Sequence, residues 1–394
     1  MAMRYQETHP WLTFRYEPTH DFTSMRLGEA FSKCQHLSGS PLQPGLAQRL
    51  AAIYLAKGVN ATTAIEGNTL SEADVREILE RHKKLPASQE YLQKEVENVR
   101  DVLSAIDDET RAGTPFRVSA TWLKNQNARI LDGIDCADHV VPGEYTTKPL
   151  LVGSVYRGAP PADVPYLVDH MCSWINGLLD GVAAADIGDD VKFVNVFNAA
   201  VLGHLYFAWI HPFGDGNGRT ARALECSILA GSGLVPWVSS NLLSNHYNLT
   251  RTRYYARLDG ASRQGDVPGF IAYAAEGFVD MLREQIRDVQ SMQRGVAWVN
   301  YIHETFQGET DGEASRRRRM LLLALPEGSY TPRNKLQTLT GDLAMLYANR
   351  QEKAVSHDTN RLKQLGLLDG DARRGYRPRI EKMDAFIPGT HAHA

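Results

Sequence analysis

His211-Pro212-Phe213-Gly214-Asp215-Gly216-Asn217-Gly218-Arg219-Thr220-Ala221-Arg222 is the stretch on which the fold turns. Upstream of it, Val194 to Ile210 is apolar at helical spacing and stops at His211-Pro212, where proline disfavours continued helix at the residue before it. Downstream, Arg219 to Ala230 reads as a second helix. Three glycines between the two let the backbone turn tightly and approach a ligand closely, and the free N–H groups of the following helix point into the loop. That is an anion site.

The side chains around this nest suit a nucleotide. Arg219 and Arg222, one turn apart, can grip phosphate oxygens with fork geometry. Asp215 is a hard oxygen ligand suited to Mg2+ bridging two phosphates. Asn217 can orient a phosphate through its amide, and His211 titrates near neutrality and can take a proton from an attacking hydroxyl. A metal-hydrolase reading through His204, His211 and Asp215 fails on distance. Seven helical residues separate the two histidines by roughly 10 Å, so His204 is expected to be a packed residue.

The stretch resembles the signature of the Fic family, His-x-Phe-x-Asp/Glu-Gly-Asn-Gly-Arg-x-x-Arg, with every specified position present. The resemblance implies a protein adenylyltransferase using ATP and Mg2+. His211 would deprotonate a Ser, Thr or Tyr hydroxyl on a target protein, and the hydroxyl would attack the α-phosphate. Asp215 would hold the metal, Gly216, Asn217 and Gly218 would meet the phosphates, and Arg219 and Arg222 would take the β- and γ-phosphate sides. Thr220 and Ala221 fall inside the same cofactor-binding run.

Upstream, Thr62-Thr63-Ala64-Ile65-Glu66-Gly67 is similar to the family's inhibitory motif, Ser/Thr-x-x-x-Glu-Gly/Asn. By that resemblance Glu66 pairs with Arg222, occupies the γ-phosphate space and represses the protein; a second role, positioning water to remove AMP, stays open. Tyr145 to Tyr156, rich in Thr, Val, Leu and Tyr, reads as a short hairpin. It resembles the family's flap, with Val152-Gly153 near its tip, along which a target segment would present its hydroxyl. Two other readings remain: a phosphotransferase of the same superfamily, against which Asp215 and the paired arginines argue, and a nucleotide-sensing DNA-binding regulator.

The rest of the chain is expected to be mainly α: a Fic-type helical bundle with a small β-hairpin flap, and a winged-helix-like C-terminal domain. Residues 1–110 should hold an N-terminal arm and the inhibitory helix, 111–300 the catalytic core and 312–394 the last domain. The first 45 residues read as an extended arm carrying Pro10, Pro18, Pro41 and Pro44. Ser71 with Asp74 forms a weaker version of a capping box, and Asp163 is a candidate helix cap. From Ser315 onward 15 Lys and Arg face 8 Asp and Glu, a local +7, so the net −3 of the chain leaves −10 on residues 1–314. Such a basic tail suits DNA through Arg361 and Lys363, or packing and homodimer formation. No apolar run approaches the roughly 18 residues that span a bilayer, and the scattered Cys34, Cys136, Cys172 and Cys226 suggest neither disulfides nor a zinc site. A cytoplasmic protein with no membrane partner is the expectation.

Overall fold

The computed structural model describes residues 3–16, 22–113, 115–152, 156–309, 312–351 and 353–384. The chain divides into two compact units, 1–286 and 287–394. Residues 1–110 and the segment that follows thus share one unit, and the division falls inside a helix, upstream of the expected start of the last domain at 312.

In the first unit, α1 (Tyr5–Thr8) and α2 (Phe22–Gly39) precede α3 (Pro44–Ile65), α4 (Glu72–Arg81), α5 (Glu90–Arg111) and α6 (Ala120–Ile130). After a two-stranded hairpin, β1 (Leu151–Val152) with β2 (Tyr156–Arg157), come α7 (Val164–Ala184), α8 (Asp189–Ile210) and α9 (Asn217–Gly231). Two short helices, α10 (Trp237–Ser240) and α11 (Leu242–Leu249), lead to α12 (Arg251–Arg263) and α13 (Val267–Gln307), which continues into the second unit.

The extended-arm expectation fails over α2. Thr23, Leu27, Ala30 and Cys34 are buried on one face at helical spacing, a pattern masked by the prolines on both sides of it. The Ser71–Asp74 capping box is fully formed. Asp163 corrects its expected role: its side chain makes no cap bond to α7 and instead accepts from the Tyr5 backbone N–H at 2.7 Å, anchoring α1.

α8 is the central helix, packed against α7 and α9. It is long and apolar enough to cross a membrane, contrary to the reading that no such run exists, yet 83% of its most apolar window is buried in this fold. It therefore has the environment of a core helix. A second apolar layer joins Val59 of α3, Val75 of α4, Val96 and Val99 of α5 and Ile130 of α6 to Ala223 and Cys226 of α9. These helices surround the 211–222 loop because α9 faces α3, α5 and α6 with its buried side.

In the second unit, α14 (Glu313–Ala324), a 3-10 turn at Arg333–Thr338, α15 (Gly341–Tyr347) and α16 (Lys353–Gln364) are followed by the antiparallel hairpin β3 (Leu368–Asp371) and β4 (Gly375–Pro378). Thr331 bridges to Tyr376 on the open edge of β4. The core contains Leu321, Leu336, Leu343, Leu362 and Leu367, with one ionic cluster inside it. Asp358, fully buried, accepts from Arg317 Nε at 2.6 Å, Arg318 Nε at 2.8 Å and Tyr347 Oη at 3.0 Å. Of the residues expected to face DNA, Arg361 is bound to Glu309 and Lys363 donates to the Gly370 carbonyl. Much of the basic charge thus satisfies groups within the unit.

Candidate active site

His211 ends α8 in the left-handed region, at φ 53° and ψ 58°. The proline after it disfavours the helical conformation, and a residue other than glycine rarely adopts this backbone unless its surroundings fix it. Those surroundings are visible on both sides. The Ala159 N–H donates to the Ile210 carbonyl at 3.1 Å, and the Thr146 N–H donates to the Pro212 carbonyl at 2.8 Å. Tyr145 also bridges to Phe213. The segments that flank the hairpin therefore stitch the loop at Ile210, Pro212 and Phe213. Burial holds the His211 pKa below its ordinary value, against a backbone hydrogen bond at Ala208 and the charges of Glu66 and Asp215, which push it up. The imidazole is neutral at neutral pH and can accept a proton.

The hairpin is shorter than the sequence suggested. Among the described residues Leu151–Val152 pairs with Tyr156–Arg157 and Tyr145 belongs to the loop bridge; of the expected tip at Val152-Gly153, Gly153 lies outside the described residues.

Gly216 starts α9 at φ 75°, where a Cβ would also come 2.8 Å from Asn127 Nδ2. Glycine is required on both counts. No side chain caps α9, so its first-turn N–H groups face the loop as an anion nest. Asn127, fully buried on α6, donates to the Asp215 carbonyl and accepts from the Gly143 N–H, each at 2.9 Å, and so fixes the loop's far side. Nothing in the sequence set this asparagine apart.

The expected phosphate contacts divide. Asn217 turns its side chain back into the loop: Oδ1 accepts from the Phe213 N–H at 2.9 Å and Nδ2 donates to the Phe213 carbonyl at 2.6 Å. Its amide is a loop clamp, so a phosphate here would meet the Asn217 backbone. Thr220 donates to the Gly216 carbonyl, and Thr220 and Ala221 are fully buried; their side chains face the core. Asp215 stays 53% exposed, with Oδ1 3.4 Å from Arg219. Among the described residues no group of three or more His, Cys, Asp or Glu could hold a metal. A cation at Asp215 would need its remaining ligands from phosphate and water, which is the ordinary arrangement for magnesium on a nucleotide.

Both arginines are held by carboxylates. Arg219 Nη1 lies 3.1 Å from Glu95 of α5. Arg222, 2% exposed, donates from Nη2 to Glu66 Oε1 at 2.6 Å and to the Thr62 carbonyl at 3.0 Å, and from Nε to Thr62 Oγ1 at 2.6 Å. Glu66 follows α3 directly, and Gly67 at φ 108° turns the chain away. Its side chain is 31% exposed, at the rim of the site. Burial would raise the Glu66 pKa, but Arg222, with help from Arg219 and His211, outweighs it and holds the carboxyl below its ordinary value. Glu66 also presses on the nest: a Cβ at Gly218 would fall 2.1 Å from its Oε1. His204, as expected, is a packed residue, fully buried with Nε2 2.9 Å from Tyr254 Oη.

A neutral histidine, an uncapped helix terminus and two carboxylate-held arginines together make a candidate site for a phosphate-bearing ligand. Residues 117–229 match the model of the Fic/DOC family. Glu66, Thr62 and Glu95 lie upstream of that match. The chain is 30% identical over 215 residues to protein adenylyltransferase fic-1 of Caenorhabditis briggsae, covering 55% of this chain and 38% of that one. Protein adenylyltransferase Fic of Aedes aegypti is 26% identical over 283 residues, 65% of this chain and 49% of that one. The chain thus spans less than half the length of these curated relatives. A Fic family protein from Desulfovibrio desulfuricans shares the fold at a TM-score of 0.55 and 18% identity, covering 92% of this chain and 98% of its own. A Fic domain containing signaling protein from Bacteroides thetaiotaomicron does so at 0.54 and 22%, covering 68% and 98%.

Proposed function

We propose that this chain transfers AMP from ATP to a Ser, Thr or Tyr hydroxyl of a protein, itself included, and that Glu66 represses the reaction at rest. The observation that carries the reading is the Glu66–Arg222 contact at 2.6 Å, set at the mouth of an uncapped helix N-terminus beside a neutral histidine. The names of the relatives point the same way.

His211 would take the hydroxyl proton while the oxygen bonds to the α-phosphorus, and the bond from that phosphorus to the bridging oxygen would break to release pyrophosphate. The backbone N–H groups at the start of α9 would hold phosphate oxygens, and Arg219 and Arg222 would bind the leaving phosphates. Magnesium, held by the exposed Asp215 carboxylate and the phosphates, would neutralise charge on the nucleotide. A target segment would lie along the Tyr145–Tyr156 stretch, where Leu151 is 64% exposed, as an added strand. With Glu66 on Arg222, the γ-phosphate loses its partner and meets a carboxylate, so ATP cannot settle productively. In the second unit, the run of α14, α15 and α16 followed by a hairpin with an added bridge fits a winged-helix-like module.

The test is label transfer. Glu66→Gly should take up label from α-labelled ATP and none from γ-labelled ATP, and His211→Ala in that background should take up neither. Uptake of γ-label alone would replace AMP transfer by phosphoryl transfer.

A further inference from the structure

Glu95 lies in α5, far from both motifs in sequence, yet it joins them in space. Its Oε1 takes Arg219 Nη1 at 3.1 Å, and its Oε2 accepts from Asn68 Nδ2 at 2.8 Å. Asn68 stands two residues beyond Glu66 and is 7% exposed. The same Nδ2 donates to the Leu92 carbonyl at 3.0 Å, and Asn68 Oδ1 accepts from the Leu70 N–H at 3.1 Å. The Asn68 backbone N–H reaches back to the Thr63 carbonyl at 3.1 Å. The turn that presents Glu66 is therefore tied on one side to α3 and on the other to α5.

These contacts close a ring. From Arg222 it runs to Glu66, through the turn to Asn68, across to Glu95 and back to α9 at Arg219, one helical turn before Arg222. Resting on the reading above, we propose that Glu95 and Asn68 form a latch that holds the Glu66 turn in its inhibitory position, with Glu95 acting as a positioning residue and not on the reacting atoms. Glu66 grips Arg222 from the rim of the site, with 31% of its side chain exposed, so its hold depends on where the turn is fixed. Asn68 supplies that fixing. Glu95 supplies the charge-assisted acceptor that makes it strong, and it is itself held by Arg219.

The test compares Glu95→Gln and Asn68→Ser, each with Glu66 present and in the Glu66→Gly background. With Glu66 present, each variant should raise basal AMP self-labelling about tenfold, the scale of one charge-assisted hydrogen bond. In the Glu66→Gly background neither should raise it further, because the latch acts only through Glu66. In the inactive His211→Ala protein, amide hydrogen exchange over residues 66–70 should quicken in both latch variants, an opening that does not depend on activity. Unchanged exchange, or an equal change of labelling with and without Glu66, overturns the latch; an equal fall in both backgrounds would assign Glu95 to Arg219 placement instead. If Asn68→Ser does not fold, Glu95→Gln carries the comparison alone. If Glu66→Gly itself takes up no label, the proposed function fails and the latch with it. If it labels and the latch variants do not, the latch alone fails.

Discussion

Replacing Glu66 by alanine should weaken the resting protein and strengthen its response to ATP. Alanine suits the backbone there, at φ −86° and ψ 0°, so the change reports on the carboxylate and adds no glycine entropy. Two unit charges about 4 Å apart attract by about 4 kcal/mol at an effective dielectric of 20. The desolvation of Glu66 that its removal relieves offsets part of this, and the 31% exposure of Glu66 screens more, so the net contribution is about 1–2 kcal/mol. Arg222 keeps Thr62 Oγ1 and the Thr62 carbonyl, both neutral acceptors, which prevents a larger loss. In a scanning-fluorescence melt the first unit should lose roughly 2–4 °C per kcal/mol. A nucleotide phosphate can then replace the missing carboxylate, and stabilisation by a ligand grows with its affinity for the native state. ATP at a fixed concentration should therefore raise the melting temperature more in Glu66→Ala than in the parent. Equal ATP shifts in the two proteins would refute the competition for Arg222.

Other expectations follow from the same contacts. Because the His211 pKa is held below 6.5, the imidazole is already neutral above that pH; kcat/KM of Glu66→Gly should be flat on that side and fall only as pH drops below it, read from a pH profile of AMP transfer. The Glu66 pKa is depressed below 4.5, so its pair with Arg222 persists above that value and is lost only as pH falls through the lowered one; repression should not relax between about pH 5 and 8 in label-transfer assays. Asp358→Ala leaves Arg317 and Arg318 without their buried partner and should destabilise the second unit by about 3–5 kcal/mol, seen as an earlier unfolding transition in calorimetry. Tyr247→Phe removes the donor to Glu225 Oε1 at 2.9 Å and should cost about 1–3 kcal/mol in denaturant melts of the first unit.

The sequence was most legible where chemistry and local geometry coincide. His211 to Arg222 announces its helix–loop–helix by a proline, three glycines and two arginines one turn apart, and Ser71 with Asp74 announces a cap; both depend on residues close in sequence. Asn217 shows the limit of that reading, because its amide had two polar destinations within reach and took the backbone of Phe213. The helix at Phe22–Gly39 was hidden by prolines that bracket it without entering it. Glu95 and Asn127 were invisible for another reason. Each is an ordinary polar residue on a helix until the fold brings it to Arg219 or to the Asp215 carbonyl, 124 and 88 positions away.

Intact-mass measurement of Glu66→Gly after incubation with ATP and magnesium tests the central claim most directly. The account predicts a gain of one AMP per modified site, abolished by adding His211→Ala. A gain of phosphate, or an AMP gain that survives loss of His211, would contradict it.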